Sequence, residues 1–160
     1  MMILTQTGQD LLEVGNSGMT TAEYRSQFAI WSLMKSPLIV STNVMNMSAD
    51  TLEILSRKEV IAINQDSLGV QGRLVEERPP DASLLQVWAG PLSGGRVAVV
   101  FWNRGNGTQD ILGRFVDMQL YGTASVRDAW NETDLGNATG QITATVPAPE
   151  NIVNSYNGGI

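Results

Sequence analysis

The sequence predicts an α/β segment followed by an all-β part folded as an antiparallel sandwich. The first observation is a change of hydrophobic periodicity, from helical spacing up to about Leu68 to short β-rich runs after about Arg73. The second is a series of glycine-containing turns that separate those runs at intervals of about ten residues. The third is length, because 160 residues suit one domain, or a small domain with part of another. We therefore expect two units, 1–68 and 73–160, and no complete eight-stranded α/β barrel.

A helix is predicted over residues 20–35 by its start signal and its apolar stripe. Thr20 and Glu23 have the spacing of a capping box, in which each side chain bonds the other's backbone. The apolar residues that follow recur at spacings of four and three: Tyr24, Phe28, Trp31 and Met34. Because Trp31 belongs to this stripe, we expect it to pack in the core rather than to stack on a sugar.

Residues after Pro37 predict a strand and a second helical segment. The apolar run 38–40 is typical of a strand buried on both faces, as in parallel sheets. Ser48 or Asp50 can cap the helical segment that follows, which closes at residues 64–66. Its apolar positions are Leu52, Leu55, Val60 and Ile63.

The second half predicts five strands separated by turn signals at 94–95, 105–107 and 135–137. The strands are expected at 84–88, 96–102, 110–115, 124–130 and 141–146. Alternation along 97–102 predicts that one sheet face is buried and the other is wet. Residues 151–159 are expected to form a polar tail. Core packing is expected for three tryptophans, although a row of exposed indoles could bind a polysaccharide: Trp88, Trp102 and Trp130.

The composition excludes several kinds of chemistry. The chain has no histidine and no cysteine, so it cannot by itself build a Ser-His-Asp triad, a cysteine nucleophile, a zinc finger or a disulfide. Its net charge of −6 disfavours nucleic acid or an anionic membrane as partner, and a neutral ligand is easier to accept. The apolar start 1–4 is far shorter than a signal-peptide core or a spanning helix. We expect no cofactor and no metal site.

The remaining acid, base or nucleophile candidates are carboxylates, Lys and Tyr, and paired carboxylates suit glycoside cleavage. Asp10 and Glu13 lie in a glycine-flanked loop just before the capped helix, where barrel enzymes present catalytic groups. Both can equally be solvated acids of a turn and of the surface.

The first half contains dense motifs, at 10–16, 18–20, 23–25, 35–39, 52–56, 58–66 and 68–72. Looser motifs follow in the second half, at 126–130 and 134–136. Together these motifs resemble the α-galactosidases of glycoside hydrolase family 27, from Asp10 to about Val146.

The resemblance implies the last units of a (β/α)8 TIM barrel in 1–68, and an antiparallel, Greek-key type β-sandwich in 73–160. It implies retaining hydrolysis of terminal non-reducing α-D-galactose residues in galactose-containing oligo- or polysaccharides. The family's nucleophile and acid/base aspartates have no counterpart in this chain, so we expect the isolated chain to be inactive. Asp10 matches a pocket aspartate and is the candidate substrate-binding residue, as an acceptor for sugar hydroxyls.

Three features depart from the family. Gly8 and Leu11 replace an Asp and a Met of the pocket loop. Glu13, by contrast, matches the family's helix-entry run, which has no catalytic role. The stretch 147–160 does not read as the apolar strand that usually closes the sandwich, so that strand is expected to be lost or replaced.

Four N-glycosylation sequons begin at Asn46, Asn106, Asn131 and Asn137. With the resemblance, they favour a secreted parent enzyme, although the chain shows no signal peptide. Two alternatives remain open. The sandwich could act as a non-catalytic carbohydrate-binding or structural module, or the chain could complement a separate polypeptide that bears the missing carboxylates.

Overall fold

The computed structural model describes residues 11–77 and 84–158, in which three α-helices precede eight β-strands. The helices are α1 (Thr21–Leu33), α2 (Ala49–Leu55) and α3 (Lys58–Asn64). The strands are β1 (Arg73–Glu77), β2 (Leu85–Pro91), β3 (Arg96–Asn103), β4 (Gln109–Arg114), β5 (Thr123–Asp128), β6 (Thr133–Thr139), β7 (Gln141–Val146) and β8 (Glu150–Gly158). None of the helices in these ranges is long and apolar enough to cross a membrane.

The predicted first helix and its capping box are confirmed. The Thr20 hydroxyl accepts a hydrogen bond from the Glu23 N–H at 3.3 Å, and Glu23 Oε2 accepts one from the Thr20 N–H at 2.7 Å. The bond from the Thr20 backbone, followed by the one from its hydroxyl, lowers the pKa of Glu23 below its usual value. Tyr24, Phe28 and Met34 are buried, as the stripe predicted.

The prediction of one second helical segment is wrong in detail, because the chain forms two short helices there. Ser48 is the N-cap of α2, and its hydroxyl accepts from the Thr51 N–H at 3.1 Å. The Ser56 hydroxyl donates to the Leu52 carbonyl at 2.6 Å at the helix end, where the chain breaks before α3. Of the segment's apolar positions, Val60 and Ile63 are buried, whereas Leu52 is 58 % exposed.

The prediction of a strand buried on both faces at 38–40 is also wrong in the described chain. This segment makes only an isolated parallel bridge, between Leu12 and Val40. Ile39 and Val40 are 56 % and 37 % exposed. Leu12 pairs along one side and Leu38 packs in part against the core formed with the helices, but the side chains of Ile39 and Val40 stay largely uncovered.

All five predicted β-runs form strands, in a sandwich of two antiparallel sheets. The six-stranded sheet has the order β1-β2-β3-β8-β5-β6, and the second sheet pairs β4 with β7. Three strands were not predicted: β1, β6 and β8.

Two of these strands correct specific expectations. Residues 135–137 were expected to be a turn but lie within β6, where Gly136 has φ +85° and faces Val126 next to a register shift. The tail expected at 151–159, with its sandwich strand lost, instead forms β8 through residue 158. Backbone pairing with β3 on one side and β5 on the other places β8 inside the sheet despite its polar composition.

The expectation of one wet face along β3 is wrong, because both faces of this strand are buried. Val97, Val99 and Phe101 pack in a core between the two sheets. Ala98 and Val100 pack in a second core, formed with the helices. This second core contains residues from both expected units. The division into units 1–68 and 73–160 therefore stays a proposal, based on the change of sequence pattern between them.

Glycine is required where the connection from α3 to β1 crosses the end of α1. The Gly72 N–H donates to the Leu33 carbonyl at 3.0 Å. A Cβ at Gly72 would lie 2.5 Å from Leu33 Cγ, and one at Gly90 would lie 2.8 Å from Gly72 Cα. The helix end, the connection and β2 therefore meet without room for a side chain.

We predict that Gly72→Ala destabilises the protein by about 1–3 kcal/mol, the usual cost of overpacking. Urea unfolding followed by circular dichroism measures this change. Gly107→Ala is the matched control, because an added Cβ there meets nothing within 4 Å, and a change below about 0.5 kcal/mol is expected. Equal stability of the two variants would contradict the close contact at Gly72.

Candidate functional site

The two segments joined by the parallel bridge end in loops on the same side. The Leu12 N–H donates to the Ile39 carbonyl at 2.9 Å, and the Ser41 hydroxyl donates to the Leu12 carbonyl at 2.7 Å. In α/β barrels, functional groups lie on the loops that follow the carboxyl ends of the strands. The loops 13–16 and 41–43 occupy such positions.

A polar network fixes the first of these loops. The Asn16 side-chain amide donates to Glu13 Oε2 at 2.6 Å and to the Ser41 hydroxyl at 2.9 Å. The Tyr24 hydroxyl donates to the Asn16 carbonyl, which ties the loop to α1. Gly15, with φ +88°, lies where a Cβ would be 2.6 Å from Thr51 Cγ2, so the loop also packs against α2.

The structure gives different information on the two candidate acids. Asp10 lies outside the described residues, so its substrate-binding role stays a prediction. The adjacent Leu11 is 41 % exposed. Glu13 is held by Asn16 through its carboxylate, and its N–H donates to Gln27 Oε1 at 3.0 Å. These contacts support a positioning role for Glu13 in the loop. Sequence reasoning missed Asn16 and Ser41, since only their proximity across 25 residues of chain shows the network.

A buried carboxylate lies at the junction between the helices and the sheet. The Asp66 side chain is 3 % exposed and accepts hydrogen bonds from the Ser93 N–H and hydroxyl, both at 2.8 Å, and from Arg96 Nη2 at 2.8 Å. Burial by itself would raise the pKa of Asp66, but hydrogen bonds from Ser93 and Leu68 and the charge of Lys35 lower it overall. These contacts make Asp66 a structural anchor.

A second charged cluster joins α3 to the far end of the large sheet. Arg127 Nε donates to both Glu59 oxygens at 2.9 Å, and its Nη1 donates to Asp134 Oδ1 at 2.8 Å. The hydrogen bonds that Arg127 donates to Glu59, followed by the one to Asp134, raise the pKa of Arg127 above its usual value. An adjacent cavity of about 280 Å³ is lined by these groups, which satisfy one another. We interpret the cluster as a structural contact.

A cleft with a volume of about 470 Å³ lies between α1 and the end of β3. Trp31 and Trp102 line it together with Glu23, Gln27 and Arg104. The expectation of core packing for Trp31 is met in part, because it packs against the core and also lines this cleft.

The other tryptophans do not form a row of exposed indoles. Trp130 is 7 % exposed and lies in the core, as expected, with its ring centroid 6.3 Å from that of Phe28. Trp88 is half-buried against the same core, and its Nε1 donates to Gln86 Oε1 at 3.0 Å.

All four sequon asparagines are exposed. Their use stays a prediction. The Asn131 side-chain amide donates to Asp128 Oδ2 at 2.7 Å, so modification there would require this contact to open. Their positions are Asn46, Asn106, Asn131 and Asn137.

Comparison with known proteins matches both halves of the chain. A sequence model described as "Alpha galactosidase A" matches residues 6–66, and one described as "Alpha galactosidase C-terminal beta sandwich domain" matches residues 82–154. An α-galactosidase of Coffea arabica is 50 % identical over 141 residues, which cover 87 % of this chain and 36 % of the coffee protein.

Solved structures agree with this result. α-Galactosidase I from Mortierella vinacea superposes with a TM-score of 0.88 at 32 % identity, covering 94 % of this chain and 39 % of that one. A GH27 β-L-arabinopyranosidase from Geobacillus stearothermophilus has a TM-score of 0.83 at 20 % identity, covering 94 % of this chain and 37 % of its own, which shows a shared fold.

Fold and matches together define a class: glycoside hydrolases in which an α/β barrel precedes an antiparallel β-sandwich. This chain contains the last units of the barrel and the sandwich. It belongs to the α-galactosidases of glycoside hydrolase family 27. It spans about a third of the length of the curated relatives it matches.

We predict that Asp66→Asn lowers stability by about 1.5–3 kcal/mol near neutral pH, because hydrogen bonds to a charged group are lost. A carboxyl whose pKa is lowered by folding stabilises fully above its unfolded value near 4 and loses this contribution as pH falls through the folded value. Urea unfolding at pH 6.5 and pH 3 should therefore show a difference between wild type and variant that shrinks in acid.

The control is Asp134→Asn, whose carboxylate lies in an ion pair with its side chain 81 % exposed. We expect a cost of no more than about 1 kcal/mol from this pair. A difference between wild type and Asp66→Asn that stayed constant from pH 6.5 to pH 3 would show that the charge of Asp66 does not stabilise the fold.

Proposed function

We propose that this chain supplies the last barrel units and the sandwich of an α-galactosidase, which hydrolyses terminal non-reducing α-D-galactose residues with retention of configuration. The observation that carries the proposal is the 50 % identity to the coffee α-galactosidase across 87 % of the chain, through both units and in the same order. Galactose-containing oligo- or polysaccharides are the proposed substrates. We further propose that the enzyme is secreted.

The proposal of secretion is supported by the four sequons and by the exposure of their asparagines. Protein made in a secretory host tests whether the sequons are glycosylated. Its mass should fall when N-glycans are removed enzymatically. Protein exported with all four asparagines unmodified would remove this support.

The retaining reaction explains why this polypeptide needs further barrel units. Retaining glycosidases place two carboxyl groups about 5–5.5 Å apart on either side of the scissile bond. The family resemblance assigns neither of them to these 160 residues. Asp10 is proposed instead to hold the sugar, as a carboxylate that accepts hydroxyl protons.

An exposed apolar surface supports the presence of a barrel partner. We call it the barrel edge, and it consists of Leu11, Ile39, Val40, Val44 and Met45, which are 37–90 % exposed. Strands of a parallel barrel are normally covered on both faces. We propose that the remaining barrel units of the α-galactosidase fold cover this edge.

We predict that the 160-residue polypeptide does not hydrolyse a chromogenic α-galactoside, and that activity appears on co-expression with the preceding barrel units of the coffee enzyme. Ile39→Asp should reduce the restored activity by at least about tenfold, because it puts a charge into the covered barrel edge. Val116→Asp is the control, since Val116 is 64 % exposed in the sandwich.

Co-purification of the two polypeptides separates failed assembly from failed chemistry. An assembled complex without activity would contradict the proposed function. Turnover by the 160-residue polypeptide alone would contradict the assignment of the catalytic carboxyls to other barrel units.

We predict that Asp10→Asn in the active complex lowers kcat/KM by about 10- to 150-fold, the equivalent of one charged hydrogen bond of about 1.5–3 kcal/mol. Steady-state kinetics with the same substrate measures the effect. Glu13→Gln is the control, because a carboxamide can still accept from Asn16, and it should change kcat/KM by less than about threefold. Equal effects of the two substitutions would remove Asp10 from the site.

A further inference from the structure

The cleft between α1 and the end of β3 is not explained by the proposed reaction. Its volume of about 470 Å³ lies within the range of about 300–1,000 Å³ for small-molecule sites. We call it the Trp31–Trp102 cleft, because these two half-buried indoles line it from different elements. Such sites are typically apolar and aromatic, with a few polar groups that orient the ligand.

The aromatic part of the cleft suits a ligand with flat apolar faces. An indole offers a rigid apolar ring and one N–H donor. The Arg104 guanidinium lies 5.1 Å from the ring centroid of Trp102, a cation–π contact that helps to fix the plane of this indole. A pyranose ring fits such a surface, since its C–H face is apolar while its hydroxyls point outward.

The polar part of the cleft has unused hydrogen-bonding capacity. Glu23 Oε2 accepts from the Thr20 N–H and hydroxyl, while Oε1 has no partner within the described residues. Gln27 uses Oε1 to accept from the Glu13 N–H, which leaves its NH₂ group without a partner in the same ranges.

This set contains both donors and acceptors, as sugar hydroxyls require, because each hydroxyl can donate and accept. The charges of Glu23 and Arg104 balance within the cleft, and the chain as a whole carries −6. Both facts favour a neutral ligand over an anionic one.

We propose that the Trp31–Trp102 cleft binds a neutral saccharide through stacking on its indoles and hydrogen bonds to Glu23 and Gln27. This binding requires no carboxylate pair and no hydrolysis. It would give the polypeptide a carbohydrate-binding surface of its own, formed jointly by α1 and β3, whereas the alternative left open by the sequence placed binding on the sandwich alone.

The test uses the indole N–H resonances of the ¹⁵N-labelled 160-residue chain, which contains four tryptophans. Raffinose and a galactosylated manno-oligosaccharide are the probes, and an oligogalacturonate is the anionic comparison. We expect the Trp31 and Trp102 resonances to shift in a saturable manner with the neutral probes, while those of Trp88 and Trp130 stay in place.

Two variants test the contacts. Trp102→Ala should weaken binding at least about tenfold, or 1.4 kcal/mol. Glu23→Gln is the second variant, for the case in which Trp102→Ala does not fold. It is expected to fold, because Gln can replace Glu in the capping box. It should weaken binding about threefold or more, since a neutral acceptor bonds hydroxyls less strongly than a charged one. Trp88→Ala is the matched control and should bind as wild type does.

Three outcomes would overturn the proposal: no saturable shift with either neutral probe, stronger shifts with the anionic one, or wild-type affinity in the folded cleft variants. The assay measures binding without turnover. The saccharide-binding proposal would therefore survive a failure of the α-galactosidase proposal. Equally, a failure of the saccharide-binding proposal would leave the α-galactosidase proposal intact.

Discussion

The packing of helix α1 against the large sheet is the contact on which the rest of the structure depends. Phe28 on α1 lies against Trp130, just beyond β5, and the Arg25 guanidinium is 5.6 Å from the same indole centroid. Ala98 and Val100 of β3 close this core from the sheet side. Because the barrel-derived helices and one face of the large sheet share this buried surface, the helices depend on the sheet for their core, while the sandwich has a second core between its own two sheets.

Sequence reasoning succeeded where local signals determine the structure, and it failed where this shared core does. The limits of α1 were predictable because the capping box of Thr20 and Glu23 is a local signal that tertiary contacts do not override. The central β-runs were predictable from composition. Burial of both faces of β3 was not, since the alternating pattern carries no information about a helix that covers the second face.

Strand β8 and the contact between Asn16 and Ser41 also could not be predicted from local sequence patterns. Polar residues 151–157 carry no strand pattern, and their β structure comes from backbone pairing on both sides. At the candidate site, loop position made both Asp10 and Glu13 candidates, and only the family resemblance favours Asp10 over Glu13 as the substrate-binding residue. The contact of Asn16 with Ser41 required the fold itself.

The position of β8 also has a consequence for synthesis of the chain. It is the last described strand in sequence, yet it lies between β3 and β5 and supplies the backbone pairing that joins them. While a ribosome still holds residues 150–158, the β1–β3 meander and the β5–β6 hairpin have exposed edges that no neighbour satisfies. Nascent molecules therefore pass through a stage in which edge-to-edge association competes with completion of the sheet.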